Sequence, residues 1–320
     1  MPTLSDLPPQ EVQSDNEDLR AHLRGTLPAK RLEENLLVAT WNLRSFASLT
    51  REWTAGESAS PKRDLRGLLA IGEILRSFDV IAIQEVKGDL RALRDLIRWL
   101  GPNWAFLMTD VSGNAERMAF LFDRRRVELS GLACELVVPP EWLEDRSSGA
   151  LNRQFARTPY AVSFRSEQST FVLVTLHVLW GEDPTDRVLE LLGIARWLRD
   201  WAERTNSWDQ NLIALGDFNI DRKDDPLWQA FTSTGLKSPD DLDSVPRTIF
   251  SGSDQSESPK FYDQIAWFAN EQGEPLLDMR YARSGYVDFL PFVYRGLGLT
   301  RRAISYRVSD HYPLWVEFSL

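Results

Sequence analysis

The sequence carries polar side chains of a recurring kind, most of them placed where a short apolar run ends. They are asparagine, glutamate, aspartate and histidine, and they include two of the chain's three histidines. The positions are Asn42, Glu85, His177, Asp217, Asn219, Asp263, Asp310 and His311. Carboxylate and amide oxygens hold hard divalent cations, and imidazoles beside them can transfer protons. The pattern therefore indicates acid–base chemistry next to a metal ion.

Each of these residues also has a structural explanation when it is taken alone. Asp217 with Asn219 is typical of a turn that caps a helix, and Glu85 could cap the following helix or pair with Lys87. A single histidine at a strand end is more often structural than catalytic. The functional interpretation is favoured because the same context recurs along the chain.

Other common catalytic patterns are absent from the sequence. No HExxH motif and no paired CxxC motif occurs, which argues against a zinc site. Gly296-Leu297-Gly298 follows no apolar strand, so it does not indicate a phosphate-binding loop. The one cysteine, Cys134, is interpreted as a strand residue rather than a nucleophile.

The elements that must position these side chains alternate along the chain. Strands are predicted at short apolar runs, and helices where apolar residues recur every three or four positions. The predicted strands are 36–41, 80–83, 104–108, 118–122, 160–164, 171–177, 212–215, 261–268 and 314–318. The predicted helices are 64–78, 89–100, 183–204 and 226–234. A single mixed α/β domain over residues 35–320 is the simplest organisation.

Residues 1–34 are predicted to form a poorly ordered, acidic and Pro-rich tail. Residues 19–27 could form a short helix, but with little to pack against. This start of the chain lacks the basic and apolar regions of a signal peptide, and no apolar run approaches the roughly 20 residues of a membrane span. With a single cysteine, these features predict a cytoplasmic protein with no membrane insertion.

Composition sets wider limits on function. The 320 residues carry a formal net charge of −10, and 43% of them are hydrophobic, which excludes disorder over the whole chain. The acidic balance argues against non-specific coating of nucleic acid by charge. It does not exclude a nucleic-acid enzyme, because metal ions can supply the local positive charge.

Eight short motifs occur in an order that resembles the endonuclease/exonuclease/phosphatase superfamily, and most of all its deoxyribonuclease I-like branch. They are Thr40-Trp41-Asn42-Leu43, Gln84-Glu85-Val86, Glu116-Arg117-Met118-Ala119-Phe120-Leu121-Phe122, Phe155-Ala156-Arg157-Thr158-Pro159, Thr175-Leu176-His177, Gly216-Asp217-Phe218-Asn219, Tyr262-Asp263-Gln264-Ile265 and Ser309-Asp310-His311-Tyr312-Pro313. The branch is favoured because His177 stands where endonucleases similar to exonuclease III usually carry tyrosine. Lys87, two residues after Glu85, is a departure from this branch, because it supplies a compact cation where the branch has a forked cation.

The resemblance implies a four-layer α/β sandwich, in which two mixed β-sheets pack face to face with helices on both outer sides. It also implies magnesium-dependent hydrolysis of phosphate esters, with Mn²⁺ able to substitute. The implied metal residues are Asn42, Glu85 and Asp310. Asp217 and Asn219 would hold the attacking water and the scissile phosphate, and Arg157 would contact substrate phosphate.

The resemblance also implies two paired histidines on either side of the phosphate. Glu116 would orient His177, and Asp263 would orient His311. We assign His311 as the general base and His177 as the general acid, although the two roles could be exchanged. A neighbouring carboxylate raises the pKa of a histidine and selects its tautomer.

The substrate is predicted less sharply than the chemistry. DNA cut by an endonuclease is favoured, and the alternative is a lipid headgroup or a phosphorylated small molecule. The candidate phosphate contacts are Arg44, Arg51, Lys62, Arg63, Arg66, Arg301 and Arg302, although solvated loops and helix faces explain them better. Trp180 and Trp208 could stack a base, although tryptophan at such positions more often packs in a core or loop. No obligate protein partner is predicted.

Overall fold

A computed structural model describes residues 1–140, 154–181, 184–203, 211–251, 260–270, 272 and 275–320. The strands are β1 (Asn35–Phe46), β2 (Val80–Lys87), β3 (Trp104–Met108), β4 (Glu116–Asp123), β5 (Glu128–Glu135), β6 (Tyr160–Ser166), β7 (Ser169–His177), β8 (Leu212–Ile220), β9 (Leu236–Lys237), β10 (Phe261–Phe268), β11 (Arg280–Tyr286) and β12 (Leu314–Ser319). The helices are α1 (Gln10–Thr26), α2 (Leu65–Leu75), α3 (Arg91–Leu100), α4 (Pro184–Ala202), α5 (Pro226–Thr232) and α6 (Arg301–Ser305).

These strands form two six-stranded sheets with the orders β11-β12-β1-β2-β4-β3 and β5-β6-β7-β8-β10-β9. Each sheet has one parallel pair near its middle, β1 with β2 and β7 with β8, and antiparallel neighbours outside it. The carboxyl ends of the two strands in each parallel pair therefore lie at the same edge of their sheet, where ligands bind in many α/β folds.

Side chains alternate between two cores along the central strands. In β1, Leu36 and Val38 lie in the core between the sheets, whereas Leu37 and Ala39 lie in the core beneath the helices. Successive side chains of a strand point to opposite faces, so β1 is buried on both. This double burial explains why its sequence is almost continuously apolar.

Helices cover the outer face of each sheet. α1, α2 and α3 contribute to the apolar cluster on the first sheet, and α4 and α5 pack on the second. A third cluster, which includes Phe120, Phe164 and Phe171, fills the space between the sheets. The predicted four-layer α/β sandwich of two mixed sheets with helices on both outer sides is therefore confirmed.

The strands extend further than predicted. β1 reaches Phe46 and β2 reaches Lys87, so Asn42 and Glu85 lie within strands rather than after them. β9 and β11 are absent from the predicted set, and β5 is anticipated only by the interpretation of Cys134 as a strand residue, because edge strands are exposed on at least one face and give a weaker apolar signal. None of the helices in the described part of the chain combines the length and the apolar character that a membrane crossing needs.

The predicted poorly ordered tail is wrong for its central part, because α1 packs against α2. Val12, Leu19 and Leu23 lie on one face of α1 and are buried in the cluster on the first sheet. On the same face Asp15 forms a buried ion pair with Arg66 of α2, with 2.6 Å between Oδ2 and Nη2. This buried face cannot be recognised from the sequence, because part of it is polar and its ion-pair partners lie far along the chain. The boundary between residues 34 and 35 stays a prediction.

We expect α1 to contribute measurably to the stability of the sandwich. Replacing the buried Leu19 by alanine removes packing next to α2 and should lower the free energy of unfolding by about 2–5 kcal/mol. The matched control is Leu7→Ala, because Leu7 is 84% exposed and its loss should cost less than about 0.5 kcal/mol. Urea denaturation followed by circular dichroism measures both. Equal stability of the two variants would show that α1 does not support the fold.

Candidate active site

The functional side chains lie at one end of the core between the sheets, on the same strand faces as its apolar side chains. In β7, Phe171 and Leu173 lie between the sheets, and His177 follows on the same face. In β8, Ile213 and Leu215 precede Asp217 in the same way. By this alternation Asn42 of β1, Glu116 of β4 and Asp263 of β10 also face the space between the sheets. The site is thus the last layer of the inter-sheet core.

A layer of neutral polar groups separates the site from the apolar core. Gln84 of β2 donates through Nε2 to Oγ1 of Thr175 in the other sheet (2.9 Å) and to Oγ1 of Thr40 (3.1 Å). All three side chains are fully buried. Because buried polar groups need partners, these hydrogen bonds hold the sheets in one mutual position just below the charged layer.

Asp217 lies at the centre of the charged layer. Its Oδ2 accepts a hydrogen bond from Nδ2 of Asn42 (3.0 Å), and it lies 3.7 Å from Nε2 of His177 and 3.9 Å from Nε2 of His311. Its Oδ1 accepts from the backbone N–H of Asn219 (3.0 Å). Burial raises the pKa of Asp217, but the two imidazoles and these hydrogen bonds outweigh burial and lower it. The carboxylate is therefore ionised between two histidines.

Glu116 lies behind His177 on the side away from Asp217. Oε2 of Glu116 is 3.0 Å from Nδ1 of His177, and Oε1 is 2.8 Å from Nζ of Lys87. Burial opposes ionisation of Glu116, but its contacts with His177, Lys87 and Arg157 prevail and lower its pKa to about 2. An ionised Glu116 orients the imidazole with Nε2 toward the site.

Arg157 also lies in this cluster, but its side chain is buried. Its Nε donates to Oε2 of Glu116 (2.8 Å), and Nη1 lies 3.4 Å from the carbonyl oxygens of His177 and Val178. The side chain is 7% exposed. This placement favours a role in holding Glu116 and the end of β7 over the predicted contact with substrate phosphate.

Asn219 is placed beside Asp217, and its amide is also engaged. Nδ2 of Asn219 donates to the carbonyl oxygen of Val178 (2.6 Å), which links the ends of β8 and β7. The residue has a φ of 51°, in the left-handed region that few residues other than glycine adopt. This strained position turns the chain just after Asp217.

Asp263 lies behind His311 and completes the second pair. Its Oδ2 is 2.6 Å from Nδ1 of His311, while its Oδ1 has no hydrogen-bond partner in the described part of the chain. Burial raises the pKa of Asp263 to about 6. Burial lowers the pKa of His311, but the charge and hydrogen bond of Asp263 prevail and raise it well above its usual value. The carboxylate of Asp263 therefore favours the protonated form of the His311 imidazole.

The backbone is irregular where strands of the first sheet contribute residues to the site. The pairing of β1 with β2 shifts register between Asn42 and Phe46, and that of β2 with β4 shifts between Ile83 and Val86. Glu85 falls within the second shift and has a φ of 62°. Such irregularities redirect side chains and are frequent next to active sites.

Asn42 and Glu85 lie together, and the carboxylate of Glu85 is the part of this pair that fits a hard cation, because Oδ1 of Asn42 accepts from the backbone N–H of Arg44 (2.9 Å). Nδ2 of Asn42 donates to Oε1 of Glu85 (3.1 Å), and Oε2 of Glu85 accepts from the backbone N–H of Ser45 (2.8 Å). Ligand atoms of Glu85, Glu116 and His177 lie within 4.8 Å of one another. Glu85 is half-buried, so its carboxylate faces both the site and solvent. Carboxylate and amide oxygens are the donors that Mg²⁺ and Ca²⁺ prefer. The residues present therefore form a possible metal-binding cluster.

Asp310 lies beside Arg44, at the edge of the site. Its Oδ2 accepts a hydrogen bond from Nη1 of Arg44 (2.7 Å), and the same nitrogen donates to Oγ of Ser305 (2.7 Å). Asp310 belongs to neither group of clustered ligand atoms found among the described residues. Asp310 therefore forms an ion pair with Arg44, and its role as a metal ligand stays a prediction.

Arg63 is a positioning residue that the sequence analysis does not recognise. It is not a solvated loop cation but is buried, and its guanidinium donates to the carbonyl oxygens of Leu43, Arg44, Ser45, Arg307 and Val308. These carbonyls belong to the segment after Asn42 and to the segment before Asp310. Burial lowers the pKa of Arg63 to about 10. No local sequence signal distinguishes this arginine, because its partners lie at the end of β1 and before Asp310, at distant positions in the sequence.

Known proteins resemble this chain over most of its length. A deoxyribonuclease of Thioalkalivibrio sp. (strain K90mix) is 27% identical over 304 residues, which cover 91% of this chain and 73% of that protein. An endonuclease/exonuclease/phosphatase family protein from Bacteroides thetaiotaomicron has a TM-score of 0.60 at 16% identity and covers 89% of this chain and 95% of its own. The mannosyl-6-phosphatase Bt3783 of the same organism has a TM-score of 0.59 at 18% identity, with 89% and 100% covered. The two structural likenesses show the fold.

The family comparison confirms the resemblance drawn from the eight motifs. The sequence model of the Endonuclease/Exonuclease/phosphatase family matches residues 39–311, a span that runs from the strand of Asn42 to His311. Members of this family hydrolyse phosphate esters. The chain belongs to the Endonuclease/Exonuclease/phosphatase family and is a hydrolase of phosphate esters.

Proposed function

We propose that the protein is a magnesium-dependent DNA endonuclease. The observation that carries the proposal is the convergence of Nε2 of His177 and Nε2 of His311 on one buried carboxylate, Asp217. A phosphodiester needs a proton acceptor for the attacking water and a proton donor for the leaving oxygen, and two imidazoles provide both. The similarity to a deoxyribonuclease supports DNA as the substrate.

The residues of the chain have distinct tasks in this scheme. Asp263 bonds to Nδ1 of His311 and the carboxylate of Glu116 lies 3.0 Å from Nδ1 of His177, so that both Nε2 atoms face Asp217, beside which the phosphate would bind. Asp217 stabilises whichever imidazole is protonated and orients the attacking water. Asn42 and Glu85 would hold Mg²⁺, or Mn²⁺ in its place. When bound, the ion supplies positive charge that offsets the charge developing on the phosphate.

The pKa of His311 favours exchanging the two histidine roles. The role of general base, which is predicted for His311 from the sequence, requires a neutral imidazole. Asp263 raises the pKa of His311 well above its usual value and so favours the protonated imidazole. We therefore propose that His311 donates the proton to the leaving oxygen and that His177 accepts the proton from water.

A small phosphate ester is the second candidate substrate, and one structural observation favours it. Several basic residues that could follow a DNA backbone are engaged within the chain. The engaged residues and their partners are Arg44 with Asp310, Arg51 with Asp95, Arg66 with Asp15, and Arg301 with two backbone carbonyls. A small substrate needs fewer phosphate contacts, and the similar fold of a mannosyl-6-phosphatase is compatible with such a substrate.

A cytoplasmic location without a protein partner stays a prediction.

We expect the purified protein to nick supercoiled plasmid in the presence of Mg²⁺ and to stop when EDTA is added. His177→Ala and His311→Ala should each lower the nicking rate roughly 10²- to 10⁴-fold, because each removes a proton-transfer group. His22→Ala is the matched control, since His22 stacks on Phe292 and lies on α1, away from the two pairs. Gel electrophoresis of the plasmid forms measures all four proteins.

Near-wild-type nicking by both site variants would overturn the proposed chemistry. Hydrolysis of a sugar phosphate instead of plasmid, dependent on the same two histidines, would keep the site and select the second candidate. The response to salt separates the two substrates, because binding to DNA weakens steeply as salt rises and binding of a small ester does not.

The pH profile tests the histidine roles. Asp263→Asn removes the charge that raises the pKa of His311, so this pKa falls. A proton donor works below its pKa and is lost above it. The alkaline limb of kcat/KM should therefore move to lower pH by roughly one unit or more. Asp18→Asn, on the exposed side of α1, is the control and should leave the profile unchanged. Movement of the acidic limb instead would return the general-base role to His311.

Neutralising one carboxylate tests the proposed metal site. Glu85→Gln keeps the shape of the side chain but removes its charge, and should raise the Mg²⁺ concentration for half-maximal nicking roughly tenfold or more. The exposed Glu57→Gln is the control. Calorimetric titration with Mn²⁺ gives a second measure that does not depend on turnover. Unchanged affinity in Glu85→Gln would place the metal elsewhere.

A further inference from the structure

Trp180 is exposed beside the candidate active site, three residues after His177. Its relative exposure is 53%, higher than that of any other aromatic side chain that the structure describes. Exposing a large indole is unfavourable, because burial of its apolar surface would stabilise the fold. A position so near the site therefore suggests a ligand for the open part of the ring.

The indole of Trp180 is held in place from the inside. The guanidinium carbon of Arg187 lies 4.6 Å from the centre of its ring. Arg187 is itself buried, and it donates to the carbonyl oxygen of Asn219 (2.7 Å) and to Oδ2 of Asp221 (2.8 Å). A cation over one face supports an aromatic ring without covering the other face. Trp180 is thus oriented before any ligand binds.

Tyr262 connects this tryptophan to the reacting groups. Its ring centre lies 5.7 Å from that of Trp180 at an angle of 71°, and 5.9 Å from that of His311. Tyr262 also immediately precedes Asp263, so its backbone is fixed by the same strand that positions the His311 pair. Nζ of Lys260 lies 5.7 Å from the Tyr262 ring. Trp180 and Tyr262, here called the aromatic wall, flank the site on the His311 side.

We propose that the aromatic wall is a subsite for an unpaired nucleobase of the DNA strand, next to the phosphate that is cut. This inference rests on the proposed endonuclease function. Every base has a π-face, so stacking on an aromatic ring tolerates any sequence. In a duplex both faces of each base are occupied by its neighbours. The subsite therefore selects single strands, frayed ends or bases that have left the stack.

The test compares two labelled oligomers of equal length and equal phosphate number. One is an oligothymidylate, and the other carries an abasic residue at every position. The wild-type protein should cleave the oligothymidylate with the higher kcat/KM. Trp180→Ala should reduce the ratio of the two kcat/KM values roughly 5- to 100-fold, the effect of one stacked base. Trp180→Phe keeps an aromatic ring and should retain most of the ratio.

The controls separate this subsite from the function on which it rests. Leu189→Ala changes another exposed apolar side chain and should leave the ratio at the wild-type value. Plasmid nicking by the wild-type protein, together with equal kcat/KM for the two oligomers, overturns the subsite and leaves the function intact. An equal loss on both oligomers in Trp180→Ala assigns Trp180 a structural role and also overturns it. A wild-type protein that cleaves neither oligomer nor plasmid overturns both proposals.

Discussion

A hydrogen bond from Asn42 to Asp217 joins the two sheets at the end of their common core, and the arrangement of the site depends on it. Asn42 belongs to β1 and Asp217 to β8, so the bond exists only while the sheets keep one mutual position. A strand advances about 3.3 Å per residue, and a shift of that size would separate the groups around Asp217. The buried Gln84–Thr175 bond and the aromatic side chains between the sheets resist such a shift.

The layer around Asp217 concentrates negative charge in a buried place. Asp217 and Asp263 are paired in register on neighbouring strands, where like charges repel each other. His177, on the other side of Asp217, and His311, bound to Asp263, reduce this repulsion. The apolar layers below must stabilise the fold enough to tolerate the remaining cost. Local destabilisation of this kind is typical of sites kept for function.

The central strands and the site motifs could be predicted because their causes are local. Strands buried on both faces, such as β7 and β8, are mainly apolar before they reach the site, and the change to polar residues at their ends marks the site. The arrangement of α1 could not be predicted, because Asp15 and Arg66 are far apart in the chain and only the fold shows that they meet. The same holds for Arg63 and for Asp310, whose partners lie on other loops or elements. Spacing predicts which residues converge, but not which atom each one contacts.

The strand order has a consequence for synthesis of the protein. β12 lies between β11 and β1 in the first sheet. Of its two neighbours, β1 can therefore pair with β12 only after the chain has been made as far as Ser319. His311 also comes late, whereas Asn42 comes early, and pairing over such a distance folds slowly. On the ribosome, the first sheet therefore stays incomplete until β12 has been made. Asn42 and His311 therefore cannot meet in one site until the sandwich closes.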